Sequence, residues 1–308
     1  MIYLNDLTQF PADLEGAVVT IGKFDGVHLG HQALLAQTID LAEGASHASV
    51  VLTFDRHPAK LFNPDEAPLP IIGKHQKRHL LAEAGIDFEV ELAFDDDLSN
   101  MDPADFAKRV LAEALKAKVV VVGEDFRFGQ RGVGDVTLLR ELGATLGFRV
   151  SIMPELTLGG EKVSSTRVRA LLDEGNVVAA AELLGRPHLT TGMVEHGLKI
   201  GRQIGFPTAN MSREAEGYLP LDGVYAGWLY ADGERYPAAL SVGINDTVQA
   251  VPRLIEAYVL DRTDLDLYDK IITLEYVDFI RPAAKFDGLD ALIVAIRADV
   301  DRIREMLS

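Results

Sequence analysis

The stretch GKFDGVHLGHQALL, residues 22–35, stands where a β-rich run gives way to a helical pattern. The preceding run AVVTI (17–21) is typical of a strand, and Leu35 and Ile39 follow at helical spacing. A glycine-bearing turn from strand to helix exposes backbone N–H groups, and the helix N-terminus adds partial positive charge. The stretch therefore predicts a strand, a phosphate-binding turn and a helix, which is the repeating unit of an α/β sheet.

Two histidines of this stretch, His28 and His31, lie one helical turn apart, so both rings are expected on one face of the helix. Two imidazoles there can hydrogen-bond the phosphates of a nucleotide and follow negative charge onto a departing pyrophosphate, with no covalent intermediate. Gly30 between them would keep the backbone clear for a ligand. An ordinary surface role is the alternative, and zinc is disfavoured because no third ligand lies nearby.

Length and composition limit the classes of protein. The 308 residues exceed one typical domain of about 150 residues, which favours two domains. Thirty basic and 47 acidic residues give a net charge of −17, which disfavours nucleic acid and anionic membranes as partners. The lack of cysteine excludes disulfides and a thiol nucleophile. The first residues do not resemble a leader, and no apolar run reaches about 18 residues, so a cytoplasmic protein is expected.

The first half alternates β-rich runs with helical patterns, which is typical of a doubly wound parallel sheet. Its further strand-like runs are ASVVLTF (48–54), FEVELA (88–93), VVVVG (119–123) and FRVSIM (148–153). Helical patterns follow at 165–175 and 176–185, and each ends in a glycine suited to a left-handed cap. Pro187 then interrupts the pattern, so we predict two domains, 1–185 and 186–308.

The second half has a different pattern. Strand-like runs separated by turns, with ADGE (231–234) as a hairpin turn, predict an antiparallel barrel. From Leu289 onward the apolar residues lie on one helical face, so a C-terminal helix is expected to pack against the barrel. That face consists of Leu292, Ile293, Ile296, Val300, Ile303 and Leu307.

A second group of polar residues lies in GRQIGFPTANM (201–211), where Thr208 and Asn210 offer two oxygens on one side of an extended segment. Such oxygens suit Mg²⁺, which completes its shell with nucleotide phosphates and water. Glu256 stands inside the apolar run IEAYVLD (255–261). It is either a buried salt-bridge partner or a general base, and the residues alone leave both roles open.

Four motifs of the first half resemble, in order and approximate spacing, the nucleotidyltransferase module of the bacterial bifunctional FAD synthetases. They are GKFDGVHLGH (22–31), TFDRHP (53–58), GEDFRFG (123–129) and SSTRVR (164–169). The resemblance implies a Rossmann-like domain of the H-x-G-H type that adenylylates FMN to FAD, with His28, His31 and Arg169 as catalytic residues. It also implies that Gly22, Phe24, Asp25, Gly30, Ser165 and Thr166 bind ATP, and that Phe62, Asp125 and Phe128 lie near the flavin.

The second half resembles the riboflavin kinase barrel of the same family through GFPTAN, DGVYAG, LSVGIN, EAYVLD and LDLY…KF. The resemblance implies that Thr208 and Asn210 bind Mg²⁺ and nucleotide, and that Glu256 accepts the proton of the ribityl hydroxyl. Gly201, Arg202 and Gly205 would contact ATP. The chain departs from the family pattern at Lys23, Ile200, Asp246, Val248, Asp269 and Ala284.

These residues and resemblances predict a bifunctional enzyme that phosphorylates riboflavin to FMN and adenylylates FMN to FAD. The predicted partners are riboflavin, FMN and ATP with Mg²⁺, and a homo-oligomer is left open. An adenylyltransferase with a weakened barrel and a flavin-binding regulator are the alternatives. A nicotinamide-dependent dehydrogenase is disfavoured because the first turn lacks the G-x-G-x-x-G pattern.

Overall fold

The structure is a computed structural model that describes residues 1–57, 59–196, 201, 204–243 and 253–308. Its backbone contacts divide the chain into two compact units. The first unit comprises Met1–Leu69 and His75–Val163, and the second comprises Pro70–Lys74 and Ser164–Ser308. Within the described part of the chain, no helix has both the length and the apolar character that a membrane span requires.

The first unit is built on a parallel sheet of six described strands. These strands are β1 (Ile2–Leu4), β2 (Ala17–Ile21), β3 (Ala48–Phe54), β4 (Phe88–Leu92), β5 (Ala117–Gly123) and β6 (Arg149–Met153). Their spatial order is β1-β4-β3-β2-β5-β6, so the winding reverses between β2 and β5. In such sheets the crevice at the carboxyl ends of the strands, at this reversal, is the usual ligand site.

Helices and turns connect these strands. The described α- and π-helices are α1 (Leu29–Glu43), α2 (Ala59–Phe62), α3 (Lys74–Glu83), α4 (Asp96–Ser99), α5 (Pro103–Asp105), a π-helix (Phe106–Ala114) and α6 (Val136–Leu146), followed by the hairpin strands β7 (Thr157–Leu158) and β8 (Glu161–Lys162). Val18 packs with Ala42 of α1, whereas Val19 packs in the cluster that holds Leu111 and Leu139. Both sheet faces are therefore covered, which explains the continuous apolar runs in the sequence.

The second unit contains α7 (Ser165–Asp173), α8 (Val177–Leu184), a closed barrel and a C-terminal helix. The barrel strands are β9 (His188–Glu195), β10 (Thr208–Met211), β11 (Gly223–Ala231), β12 (Glu234–Gly243), β13 (Leu254–Val259) and β14 (Ile271–Pro282). They pair antiparallel in the order β10-β13-β12-β11-β14-β9. The predicted parallel sheet followed by an antiparallel barrel is confirmed.

Helix α9 (Leu289–Leu307) packs on the barrel through Val300 and Ile303, as the apolar face predicts. The ADGE hairpin is confirmed as well: β11 ends at Ala231, and left-handed Asp232 and Gly233 turn the chain into β12.

Helices α7 and α8 pack with the barrel. Leu221 N–H donates to the Leu172 carbonyl at 2.8 Å, and the Tyr218 hydroxyl donates to Asp173 Oδ1 at 2.7 Å. The contact boundary between Val163 and Ser164 therefore differs from the predicted functional boundary at 185/186, which stays a prediction.

Candidate active sites

The predicted phosphate-binding turn joins β2 to α1 at the carboxyl edge of the parallel sheet. Backbone φ is +51° at Phe24, +82° at Gly26 and +40° at Val27, so three residues of the turn are left-handed. The Phe24 ring is fully buried and lies 5.1 Å from the His31 ring between centroids. The turn thus places the phenyl ring beside the second histidine.

His28 and His31 form a stacked pair whose ring centroids are 3.7 Å apart. His28 is the N-cap of α1, and its Nδ1 accepts a hydrogen bond from the His31 N–H at 3.3 Å. Because Nδ1 accepts, a neutral His28 ring carries its proton on Nε2. A Cβ on Gly30 would approach the His28 ring to 3.2 Å, so glycine at this position makes room for the ring.

The environment of His31 favours the neutral ring. Burial is the main cause that lowers its pKa well below the ordinary value, and the neighbouring His28 lowers the pKa further. His31 Nδ1 is buried and has no hydrogen-bond partner among the residues that the structure describes. Buried polar atoms usually have a hydrogen-bond partner in the protein, in water or in a ligand. A water molecule or a ligand is therefore expected to hydrogen-bond this nitrogen.

Residues that follow β3 and β5 stand beside this turn, because both strands pair with β2. Lys23 Nζ lies 2.6 Å from His57 Nε2, and His57 Nδ1 accepts a hydrogen bond from the Ala59 N–H. Beyond β5, Asp125 forms an ion pair of 2.5 Å with Lys162. The sequence did not predict the contact of Lys23 with His57 or that of Asp125 with Lys162. The two residues of each contact are 34 or more positions apart in the chain.

The predicted flavin residues are Phe62, Asp125 and Phe128. Phe128 is buried and stacks on Phe126, with centroids 5.7 Å apart. Phe62 ends α2, and its side chain lies outside the described part of the chain. Asp125 and Phe128 therefore both follow the strand that neighbours β2 at the reversal of the sheet.

The predicted phosphate ligands Ser165, Thr166 and Arg169 lie on α7, in the second unit. Ser164 caps this helix, since its Oγ accepts a hydrogen bond from the Arg167 N–H at 3.2 Å. The four-residue spacing puts Ser165 and Arg169 on one helical face. The first unit thus gathers Gly22, Phe24, Asp25, His28, Gly30 and His31, whereas the second gathers Ser165, Thr166 and Arg169 on one helix.

The predicted kinase residues share one face of the barrel wall. Asn210 of β10 is the register partner of Glu256 of β13, and Thr208 lies two residues before Asn210 on the same strand face. Ala209 and Ala257, which alternate with these polar residues, are buried on the other face. A hydroxyl, an amide and a carboxylate therefore leave the barrel wall side by side.

Glu256 has the environment of a proton acceptor. Burial raises its pKa above the ordinary value, and no charged neighbour among the described residues contributes to the shift. A salt bridge to a cation would lower the pKa of a carboxyl group. The direction of this shift is that of a buried carboxyl group without a cation beside it among the described residues, and the role of Glu256 as general base stays a prediction.

The loops of the barrel site are described in part. Gly205 has φ +89°, and Phe206 N–H donates to the Gly201 carbonyl at 2.7 Å. Asp269 has φ +59°, a conformation that costs least for glycine, the residue that the family usually has there. Arg202, Ile200, Asp246 and Val248 lie outside the described residues, and Ala284 is exposed after β14.

The predicted metal ligands are oxygen donors only. Among the described residues, no cluster of three His, Cys, Asp or Glu side chains could hold a metal ion. The Thr208 hydroxyl and the Asn210 amide nevertheless fit Mg²⁺, because this ion accepts one or two protein oxygens and takes the rest of its shell from phosphates and water.

Comparison with known proteins gives the same two parts. The family model described as FAD synthetase matches residues 10–167, and the one described as riboflavin kinase matches residues 184–307. The bifunctional riboflavin kinase/FMN adenylyltransferase of Pseudomonas fluorescens is 37% identical over 292 residues, which cover 94% of this chain and 93% of the relative. The protein of the same name from Escherichia coli strain K12 is 36% identical over 303 residues, covering 98% and 96%.

A solved structure shares the fold over the full length. A crystal structure described as that of a macrolide-efflux protein from Streptococcus pneumoniae has a TM-score of 0.87 with 30% identity, and 98% of each chain is covered. Since the relatives match nearly the whole of this chain and of themselves, the resemblance that the motifs indicated is confirmed. The chain belongs to the bacterial family of bifunctional riboflavin kinase/FMN adenylyltransferases.

Proposed function

We propose that residues 186–308 phosphorylate riboflavin to FMN and that residues 1–185 adenylylate FMN to FAD, both with Mg-ATP. The observation that carries the first activity is the register pair of Asn210 and Glu256 with Thr208 beside it. The stacked His28 and His31 at the glycine-bearing turn carry the second. A cytoplasmic location and the lack of nucleic-acid and membrane partners belong to the same proposal.

In the kinase step, the oxygen of the ribityl hydroxyl attacks the γ-phosphorus of ATP, and ADP leaves. Glu256 takes the proton of that hydroxyl during the attack. The raised pKa of Glu256 suits it to accept that proton. Thr208 and Asn210 would hold Mg²⁺, which when bound neutralises the phosphate charge. Gly201, Arg202 and Gly205 would position the nucleotide beside these residues.

In the adenylyl-transfer step, a phosphate oxygen of FMN attacks the α-phosphorus of ATP, and pyrophosphate leaves. His28 and His31 would hydrogen-bond the phosphates as negative charge moves onto the leaving group. A neutral His28 ring donates through Nε2, since its Nδ1 is occupied by the His31 N–H. Ser165, Thr166 and Arg169 would contact the phosphates, Gly22, Phe24, Asp25 and Gly30 would shape the ATP site, and Phe62, Asp125 and Phe128 would lie near the flavin.

One experiment separates this proposal from its alternatives. The protein is incubated with riboflavin, ATP and Mg²⁺, and in parallel with FMN, ATP and Mg²⁺, and the flavins are separated by chromatography. We expect FMN and then FAD from riboflavin, and FAD from FMN. If FAD forms from FMN but no FMN forms from riboflavin, the protein is an adenylyltransferase with an inactive barrel, the alternative that the departures from the family pattern motivate. No product in either reaction would leave a flavin-binding protein without turnover.

A further inference from the structure

The turn that carries the histidines is strained at residues other than glycine. Val27 has φ +40° and is fully buried, and Phe24 has φ +51°. A β-branched residue in the left-handed region is a genuine outlier, because its Cβ substituents crowd the backbone. Such conformations persist only where surrounding contacts determine them, and they occur frequently at functional sites.

Gln32 supplies such a contact. Its Nε2 donates a hydrogen bond to the Val27 carbonyl at 2.9 Å, and its backbone N–H donates to the His28 carbonyl at 2.9 Å. The side-chain bond fixes the peptide plane between Val27 and His28. Within the turn, the Val27 N–H donates to the Phe24 carbonyl at 3.2 Å, so the strained segment is held at both ends.

The position of His28 follows from that peptide plane. His28 is the N-cap of α1 with an extended backbone, and its ring accepts from the His31 N–H, so both histidines move with the helix when the backbone turns at Val27. Rotation at Val27 toward an ordinary φ would leave the two imidazole rings together but would turn them away from the preceding turn and from the Phe24 ring beside His31. Gln32 itself would act through these residues and need not touch a substrate.

We infer that Gln32 is a positioning residue for adenylyl transfer, which holds the left-handed Val27 and thereby the stacked histidine pair in the arrangement that meets the leaving pyrophosphate. The role in turnover rests on the proposed function, whereas the effect on the histidines does not. Gln32→Leu removes the donor and keeps an apolar side chain of similar size. Gln32→Asn keeps an amide, but on a side chain too short to reach the Val27 carbonyl. This variant replaces Gln32→Leu in the test if the leucine variant does not fold.

Turnover is the first measurement. With FMN and ATP, we expect Gln32→Leu to lower kcat by roughly 10- to 100-fold, the scale for misplaced catalytic groups. KM for ATP and FMN should change less than about threefold, since the substrate contacts themselves remain. Gln37→Leu on the same helix is the matched control and should behave as the parent. Riboflavin phosphorylation checks that the barrel of each variant is intact, and KM values near those of the parent check that the first unit is folded.

A rescue variant distinguishes positioning from general weakening. Glycine adopts a left-handed backbone without the penalty of valine, so Val27→Gly reduces the need for the anchor. The double variant Val27→Gly, Gln32→Leu should therefore be at least about fivefold faster than Gln32→Leu alone. A double variant no faster than the single one would overturn the inference, as would a folded Gln32→Leu or Gln32→Asn variant within threefold of the parent.

The second measurement needs no turnover. The ¹⁵N shifts of the imidazole nitrogens of His28 and His31 report the hydrogen bonds and ring contacts of these side chains, including the Phe24 ring beside His31. We expect them to move in Gln32→Leu and to return toward the parent in the double variant, whereas unmoved shifts would overturn the inference. If the parent forms no FAD from FMN, the proposed adenylyl transfer fails, and the imidazole shifts still decide the role of Gln32.

Discussion

Asn210 and Glu256 are direct register partners on neighbouring antiparallel strands of the barrel, with Thr208 on the same face. Side chains of such partners begin about 5 Å apart, which is within reach of one small group bound above them. In the proposed kinase site, the amide and hydroxyl oxygens would hold a cation while the carboxylate would face the hydroxyl that is to be phosphorylated. The strand register therefore sets the separation between the proposed metal ligands and the proposed base.

Glu256→Gln should abolish the kinase step and leave adenylyl transfer intact. The amide keeps the size of the side chain but cannot accept the ribityl proton, so FMN formation should fall by roughly 10²- to 10⁴-fold. Product analysis from riboflavin and from FMN measures both steps in the same preparation. FAD formation from FMN is the control for folding. Kinase turnover within about threefold of the parent would show that Glu256 is not the general base.

His28→Ala and His31→Ala should slow adenylyl transfer and leave the kinase step intact. Each removes a donor that stabilises the leaving pyrophosphate, so FAD formation from FMN should slow by roughly 10²- to 10³-fold. Because His28 also caps α1, its alanine variant should additionally lose about 1 kcal/mol of stability. Riboflavin phosphorylation should survive in both variants. FAD formation at the rate of the parent would exclude the histidines from catalysis.

The kinase activity should reside in a C-terminal fragment, and the residue at which the fragment begins should affect its stability. A fragment from residue 186 contains the barrel but lacks α7 and α8, whose Leu172 and Asp173 hydrogen-bond to it. We expect a fragment from residue 164 to unfold at higher urea than one from residue 186, and both, where folded, to stop at FMN. Fluorescence of Trp228, the single tryptophan, reports unfolding of the barrel. Equal midpoints would contradict a stabilising role of the two helices.

His188 should make the barrel less stable in acid. Burial is the main cause that lowers its pKa to about 4, and its Nε2 hydrogen-bonds the Tyr218 carbonyl at 2.7 Å. The unfolded chain binds the proton near pH 6.5 and the folded chain only near pH 4, so stability falls as pH drops through that window. The loss reaches about 3 kcal/mol at the acid end.

His188→Gln tests this pH dependence. Glutamine can still donate to the Tyr218 carbonyl but does not titrate, so the variant should lose less stability between pH 7 and pH 4 than the parent. Urea unfolding followed by Trp228 fluorescence at several pH values measures the difference. Parallel curves for the two proteins would show that another group carries the acid sensitivity.

Much of the fold is predictable because it depends on local pattern. The runs at 17–21 and 48–54 coincide with β2 and β3, and Leu289 begins α9 as its apolar face indicates. The short β1 and the hairpin of β7 and β8 were missed, since two or three residues carry no measurable periodicity.

Other features depend on contacts that a linear sequence does not display. The motif around His28 locates the site. The left-handed φ of Val27 and the hydrogen bond from Gln32 to its carbonyl cannot be predicted from a pattern of residue types. Likewise, nothing in the glycine-ended pattern at 165–175 indicates that α7 packs with the barrel. Packing partners are decided by tertiary structure, which overrides local signals.

The placement of α7 has a consequence for recombination between members of the family. A crossover at residue 186 joins a foreign barrel to an α7 selected against another barrel surface, so the new junction loses matched contacts such as those of Leu172 and Asp173. A crossover before Ser164 keeps those contacts but imports Ser165, Thr166 and Arg169 from the second parent. Functional chimeras should therefore arise more often from the earlier crossover point, provided that these three residues are identical in both parents.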